Sequence, residues 1–313
     1  MGLYLLLQDL PLNPNFEPEL YNHQQTGANV LFFTFIHPQG MEVPDTFRKL
    51  AASRGQSKPG AVPEGHIILF TIGGNAWSKD FNPWDWLTSK RKAETMAVRV
   101  ARWPEEYPGC DGIDLDLENG AGEALYAGTN LVHFVKKIRQ IRKAEGKFRM
   151  IISQPTFGCP QVRSKQNPFN VCLCVSQIEG ANTVINAGWT KAGASTGLID
   201  SIGIMFYDGD GSKAYWPNYA HGKDRAIRVP VPTNKILLGA SGNKAAALNA
   251  LVEEVIKNDL GGIMIWQNSV KPGRIYWPSA CGAWGCDSFG FPDAQQALKD
   301  AIKRFEPFNR EVK

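Results

Sequence analysis

A chain of 313 residues with 43% apolar and 20% charged residues can bury a large core, either as two small domains or as one large α/β domain. Its net charge of +4 is mild and scattered, and the one basic concentration, Lys136-Lys137, Arg139 and Arg142-Lys143, reads as a solvated helix face, which argues against nucleic acid as a partner. No run of eighteen apolar residues exists, so no membrane-crossing helix is expected.

In chain order, Leu3-Tyr4-Leu5-Leu6-Leu7 is too short for the core of an export signal and reads as a first strand. Seven more strand-like runs follow at regular intervals, at 29–36, 66–72, 112–117, 148–153, 201–207, 235–238 and 262–266. Helical patterns lie between or after them at 17–26, 46–52, 88–101, 122–144, 245–257 and 293–304. The connections after strands five and six are less regular: 167–185 holds a Pro and a Gly, and 219–227 is short and polar. Most of the strand runs are continuously apolar, as in a parallel sheet covered on both faces. Eight such repeats predict a single-domain (β/α)8 barrel over residues 1–313. A doubly wound sheet is the rival, but no Gly-x-Gly-x-x-Gly turn follows the first strand.

Strand four departs from this pattern. In Cys110-Asp111-Gly112-Ile113-Asp114-Leu115-Asp116-Leu117-Glu118-Asn119, strand alternation sends Asp114, Asp116 and Glu118 one way and Ile113, Leu115 and Leu117 the other. A sheet covered on both faces has no wet side for three acids. Successive same-face residues are roughly 6.5–7 Å apart, so stacked carboxylates would repel and shift one another's proton affinities, an arrangement suited to chemistry. Barrel active sites lie at the C-terminal strand ends. Polar and aromatic residues gather at those ends here: Gln8-Asp9, Gly73-Gly74-Asn75-Ala76-Trp77, Glu118-Asn119, Gln154-Pro155, Tyr207-Asp208 and Trp266-Gln267-Asn268.

The segment Asp111-Gly112-Ile113-Asp114-Leu115-Asp116-Leu117-Glu118 resembles the Asp-x-x-Asp-x-Asp-x-Glu signature of glycoside hydrolase family 18, the chitinases and their relatives. Thr71-Ile72-Gly73-Gly74 is similar to the family's Ser-x-Gly-Gly, with Thr for Ser. Met205-Phe206-Tyr207-Asp208 is similar to its Met-x-Tyr-Asp, and Gly262-Ile263-Met264-Ile265-Trp266 to its last strand. The four motifs come in the family's order and span most of the chain.

The resemblance implies a retaining glycosidase acting on β-1,4-linked N-acetylglucosamine, in chitin or chito-oligosaccharides, with neither cofactor nor metal. Glu118 would be the general acid, kept protonated by the buried acids around it. The substrate's own 2-acetamido oxygen would attack the anomeric carbon. Asp116 would orient the acetamido N–H, Asp114 would share a proton with Asp116, and Tyr207 would donate to the acetamido oxygen. Trp266 would form the floor of the sugar site. Asp208, Met205, Gly74, Trp77 and Gln154 are the further candidates for binding substrate. Asp111, of opposite parity, is expected to support the structure. Trp84, Trp86 and Trp216 could line a groove or simply pack in loops. Only 27 residues, 208–234, separate Tyr207 from Lys235, too few for a large α+β insertion, so the groove is expected to be open and suited to endo cleavage.

Three other readings stay open: a chitinase-like lectin, an endo-β-N-acetylglucosaminidase acting on N-glycans, and a barrel using the three acids to hold Mg²⁺ or Ca²⁺. Six cysteines leave the redox setting ambiguous. Cys172 and Cys174 are too close for a comfortable bridge, Cys281 and Cys286 could close a small loop, and Cys110 and Cys159 could meet across neighbouring strands. A monomer outside the cell, its export signal removed, is expected, although no Asn-x-Ser/Thr sequon is present.

Overall fold

The computed structural model describes residues 2–6, 29–58, 61–74, 84–117, 124–156, 198–205, 211–221, 231–241 and 245–269. Eight parallel strands close into a barrel in chain order, β1 (Gly2–Leu6), β2 (Val30–Ile36), β3 (Ile67–Gly73), β4 (Gly112–Asp116), β5 (Ile151–Thr156), β6 (Ser201–Ile204), β7 (Ile236–Ser241) and β8 (Gly262–Ser269), with β8 pairing back onto β1. The helices described are α1 (Asp45–Ala52), α2 (Lys90–Val100), the single turn α3 (Trp103–Glu106), α4 (Ala124–Ala144), α5 (Gly211–His221) and α6 (Ala245–Asn258). None of them is long and apolar enough to cross a membrane. The expected helices at 17–26 and 293–304, and the connection at 167–185, lie outside the described residues.

The alternation of each strand divides the core in two. Outward residues such as Phe33, Phe70, Leu115, Ile152 and Ile202 pack beneath the helices in one large apolar cluster. Inward residues form a smaller one, in which Phe32, Leu69, Met205 and Met264 fill the lumen. A Cβ on Gly203 would sit 2.3 Å from the Met264 sulfur, so the small residue on β6 makes room for the long side chain on β8. Filling the lumen below leaves only its upper end for polar groups.

Several boundaries differ from the sequence reading. Strand five begins at Ile151 rather than at 148, because Phe148 leaves the sheet and lies 53% exposed over the Arg142 guanidinium, 4.6 Å from ring centroid to Cζ. The pattern at 88–101 forms α2, whose start is set by Ser89 accepting the Lys92 N–H, and a 3-10 turn at Asp85–Leu87 precedes it. Helix α5 runs on to His221, into the connection expected to be short and polar at 219–227, and it carries Pro217 within it.

The basic run on α4 is not a solvated face. Arg142 is buried, donating to both Glu105 carboxylate oxygens at 2.8 and 2.6 Å and to the Ala101 and Phe148 carbonyls. Arg139 reaches Asp200 at 2.7 Å and the Leu198 carbonyl at 2.6 Å; desolvation outweighs the pull of Asp200 and brings it down to about 10. Every third or fourth residue of a helix shares a face, so this run divides between the barrel and solvent.

Cys110 is a free, buried thiol among the described residues. Cys159 lies outside the described residues.

Candidate active site

The polar upper lumen is built on β4. Its register sets Asp114 beside Thr71 of β3 and Ser153 of β5, and Asp116 beside Gly73. Asp114 has no exposed surface and Asp116 only 2%. Thr71 donates its hydroxyl to Asp114 Oδ2 at 3.2 Å, and Ser153 donates its hydroxyl to Asp114 Oδ1. A buried carboxylate is tolerable only with donors of this kind.

The turn after β3 holds the end of β4 in place. Gly73 has φ +109° and Gly74 φ +84°, both in the region that favours glycine. A Cβ on Gly73 would lie 2.0 Å from the Asp116 carbonyl oxygen and 2.6 Å from Trp84 Cζ2; one on Gly74 would lie 2.5 Å from the Phe35 ring. Gly74 donates its N–H to the Asp116 carbonyl at 2.9 Å. The two glycines let the backbones of β3 and β4 close together at the level of the acids.

Of the residues singled out by sequence, Asp114, Asp116, Met205 and Gly74 converge on the interior. Met205 is buried in the lumen cluster, and Gly74 contributes its backbone. Trp266 continues β8 two residues beyond lumen-filling Met264, in register with Ser241. Glu118, Trp77, Tyr207 and Asp208 lie outside the described residues.

Gln154 is fully buried, but its parity is opposite to that of Ser153. Its register partner is Ile202 of the outer cluster, so it belongs to the helix-facing side of β5. Trp84 and Trp86 pack in the outer cluster, with Trp86 4.6 Å from the Phe134 centroid; Trp216 packs there too and donates to Glu254 at 2.9 Å. These three are core residues, not groove walls.

Ser153 was missed in the sequence. The signal was there: a hydroxyl interrupting the apolar run Met150-Ile151-Ile152, at the parity that faces the acids.

Asp111 lies at the opposite, lower end. It accepts the Ile68 N–H at 2.9 Å and pairs with Arg54, beside an open depression of about 650 Å³ lined in part by His66 and Glu64. It supports the sheet there, away from the lumen acids.

Solved structures match the whole of this architecture. A family 18 chitinase from Cycas revoluta, in complex with allosamidin, is 13% identical, with 97% of this chain and 99% of that one covered and a TM-score of 0.59. A chitinase-like agglutinin from Robinia pseudoacacia is 11% identical, with 96% and 99% covered and a TM-score of 0.59. A family 18 N-acetylglucosaminidase from Paenibacillus barengoltzii is 13% identical, with 96% and 99% covered and a TM-score of 0.56. The fold is the one these proteins share. No family model matches the sequence, and no curated protein does.

Proposed function

We propose that this chain is a retaining glycoside hydrolase that cleaves β-1,4-linked N-acetylglucosamine polymers by substrate-assisted catalysis. The observation that carries the reading is the pair of buried carboxylates, Asp114 and Asp116, on the inner face of β4 directly before Glu118, with Asp114 held by two hydroxyls. The likeness to chitinase barrels supports the fold on which this chemistry would run.

Glu118 protonates the glycosidic oxygen as the C1–O bond breaks. The 2-acetamido carbonyl oxygen of the substrate attacks C1 from the opposite face and forms a cyclic oxazolinium ion. Asp116 accepts the acetamido N–H and stabilises the positive charge, with Asp114 beneath it as the second member of a coupled pair. Tyr207 donates its hydroxyl to the acetamido oxygen, and Trp266 supports the methyl group. Water then gives a proton to the Glu118 carboxylate and attacks C1, opening the ring with net retention.

The test is hydrolysis of a fluorogenic chitotrioside by the wild type and by Glu118→Gln. Cleavage by the wild type, lost at least a thousandfold in the variant while sugar binding persists, supports the assignment. Release of free N-glycans in place of chitotrioside cleavage would move the substrate to that of an endo-β-N-acetylglucosaminidase.

A lectin is the second reading, favoured by the agglutinin built on the same barrel. Binding of chito-oligosaccharides by both forms, with no turnover by either, would establish it.

A further inference from the structure

Helix α4 carries Lys136, Lys137, Arg139, Arg142 and Lys143 and no acidic residue. Arg139 and Arg142 turn inward to Asp200 and Glu105, which leaves the three lysines on the solvent side. The neighbouring helix α2 continues this character. Arg91, Thr95, Val98 and Arg102 recur at helical spacing, all exposed, in an outward stripe about 16 Å long that holds no acid.

The nearby acids are already engaged: Asp85 by Lys92 at 2.8 Å, Glu94 by Lys90 at 3.8 Å, and Glu105 by Arg142. Arg91, Arg102, Lys136, Lys137, Lys143 and Lys147 make no ion pair among the described residues, with only Glu106 and Glu145 to set against them. His133 of α4 lies inside this field. Burial first, then the charges of Lys90 and Lys136, push its pKa below the ordinary value against the opposing pull of Glu94.

The apolar side chains of this face are held outside. Arg142, only 2% exposed, occupies the place beneath the Phe148 ring, 4.6 Å from its centroid. It donates to the carbonyls of Ala101 and Phe148, each at 3.0 Å, and so joins the lower end of α2 to the segment after α4. Val98 stands one turn before Ala101. Val98 and Phe148 are the large apolar side chains left exposed among the described residues, and both border the cationic field.

We propose that the outer face of α2 and α4 docks on an anionic lipid surface. The lysines and arginines meet the headgroups, while Phe148 and Val98 enter the headgroup boundary. A soluble polyanion would engage the cations but would leave the two apolar groups in water. Contact of this kind is peripheral and needs no membrane-crossing helix. Helices α2 and α4 follow β3 and β4 on the barrel wall, so docking leaves the C-terminal strand ends open.

The test is co-sedimentation of the full chain with vesicles of phosphatidylcholine alone or with about 30% phosphatidylserine, in salt from about 0.05 to 0.5 M. Binding is expected only with phosphatidylserine and is lost at high salt. Each cation near the surface strengthens partitioning about fivefold, so Lys136→Gln, Lys137→Gln and Lys143→Gln combined should weaken it about a hundredfold. Lys49→Gln, Lys235→Gln and Lys257→Gln combined remove the same charge from other elements and should change it less than about threefold. Val98→Ser and Phe148→Ser should each weaken it about three- to tenfold and leave the salt dependence unchanged. Circular dichroism melts check that each variant folds.

A wild type that stays in the supernatant at low salt overturns the proposal, and so do equal losses in the two triple variants. Vesicle binding untouched by either serine variant, with equal retention of all three forms on dextran sulfate, overturns it as well: the face would then serve a soluble polyanion.

Discussion

The carboxylates of Asp111 and Asp200 each stand immediately before a strand and accept the second backbone N–H of the preceding strand, from Ile68 at 2.9 Å and from Ile152 at 2.8 Å. Each aspartate also returns its own N–H to the carbonyl of the same isoleucine, at 2.9 and 2.7 Å. Each is pinned from the outer layer by an arginine, Arg54 for Asp111 and Arg139 for Asp200, with Arg149 adding a second contact to Asp200. The barrel floor thus uses the same clasp between β3 and β4 and between β5 and β6.

Removing either carboxylate leaves an arginine partly buried without its counter-charge. Asp200→Ala is expected to cost about 2–4 kcal/mol and Asp111→Ala about 1–3 kcal/mol, breaking a buried pair being worse than losing an exposed one. The order follows from Asp200 holding two arginines at 19% side-chain exposure, against one at 23% for Asp111. Urea unfolding of the two variants checks this; a reversed order would show that the Arg54 clasp is the stronger.

Gln154 makes a prediction of the opposite sign. Its amide nitrogen and oxygen are buried and make no hydrogen bond among the described residues, and its strand neighbour Ile202 is apolar. Burying an unpaired amide costs about 1–3 kcal/mol. Gln154→Met, similar in shape, is therefore expected to raise stability by about 1–2 kcal/mol in the same assay. Weaker chito-oligosaccharide binding in that variant would return Gln154 to the sugar site.

Cys110 is pushed up to about 12, chiefly by burial, with the Asp111 charge adding to it and the contact to the Gly112 carbonyl opposing it. The folded state therefore holds the thiol proton more tightly than the unfolded chain. The stability that depends on it is full below the ordinary value of 9.0 and is lost as pH rises toward about 12. Iodoacetamide at pH 8.5 should leave Cys110 unmodified in the folded protein and alkylate it in urea, as read by peptide mass spectrometry. Fast labelling without denaturant would place the thiol at the surface.

The barrel was legible because most strands are apolar runs and the runs recur at barrel spacing. The convergence of Asp114 and Asp116 was legible because a strand has period two, and nothing in the lumen overrides it. What escaped depended on contacts between distant segments. Arg139 and Arg142 look like surface charges until Asp200 and Glu105 are brought to them. Phe148 looks like the start of a strand until Arg142 lies beneath it. Ser153 is overshadowed in the sequence by the more conspicuous Gln154, and only strand register shows which of the two faces the acids. Helix α5 was hidden by Pro217, whose penalty is set by tertiary packing that local propensity does not contain.

Gly73 and Gly74 separate conformational strain from a true steric block. Both have positive φ, so alanine at either position carries a backbone cost of about 1–2 kcal/mol. At Gly74 the methyl meets the Phe35 ring, a side chain that can shift. At Gly73 it meets the Asp116 carbonyl, which cannot move without displacing the end of β4. Gly73→Ala should therefore be the more destabilising by about 1–3 kcal/mol, the usual cost of overpacking, and should lose chitotrioside hydrolysis even where it remains folded. Gly74→Ala should keep most of its activity, since its N–H still reaches the Asp116 carbonyl. Circular dichroism melts and turnover measured on both variants decide the matter: equal losses at the two positions would mean that strain alone, and not the approach of β3 to the Asp116 backbone, sets the requirement for glycine.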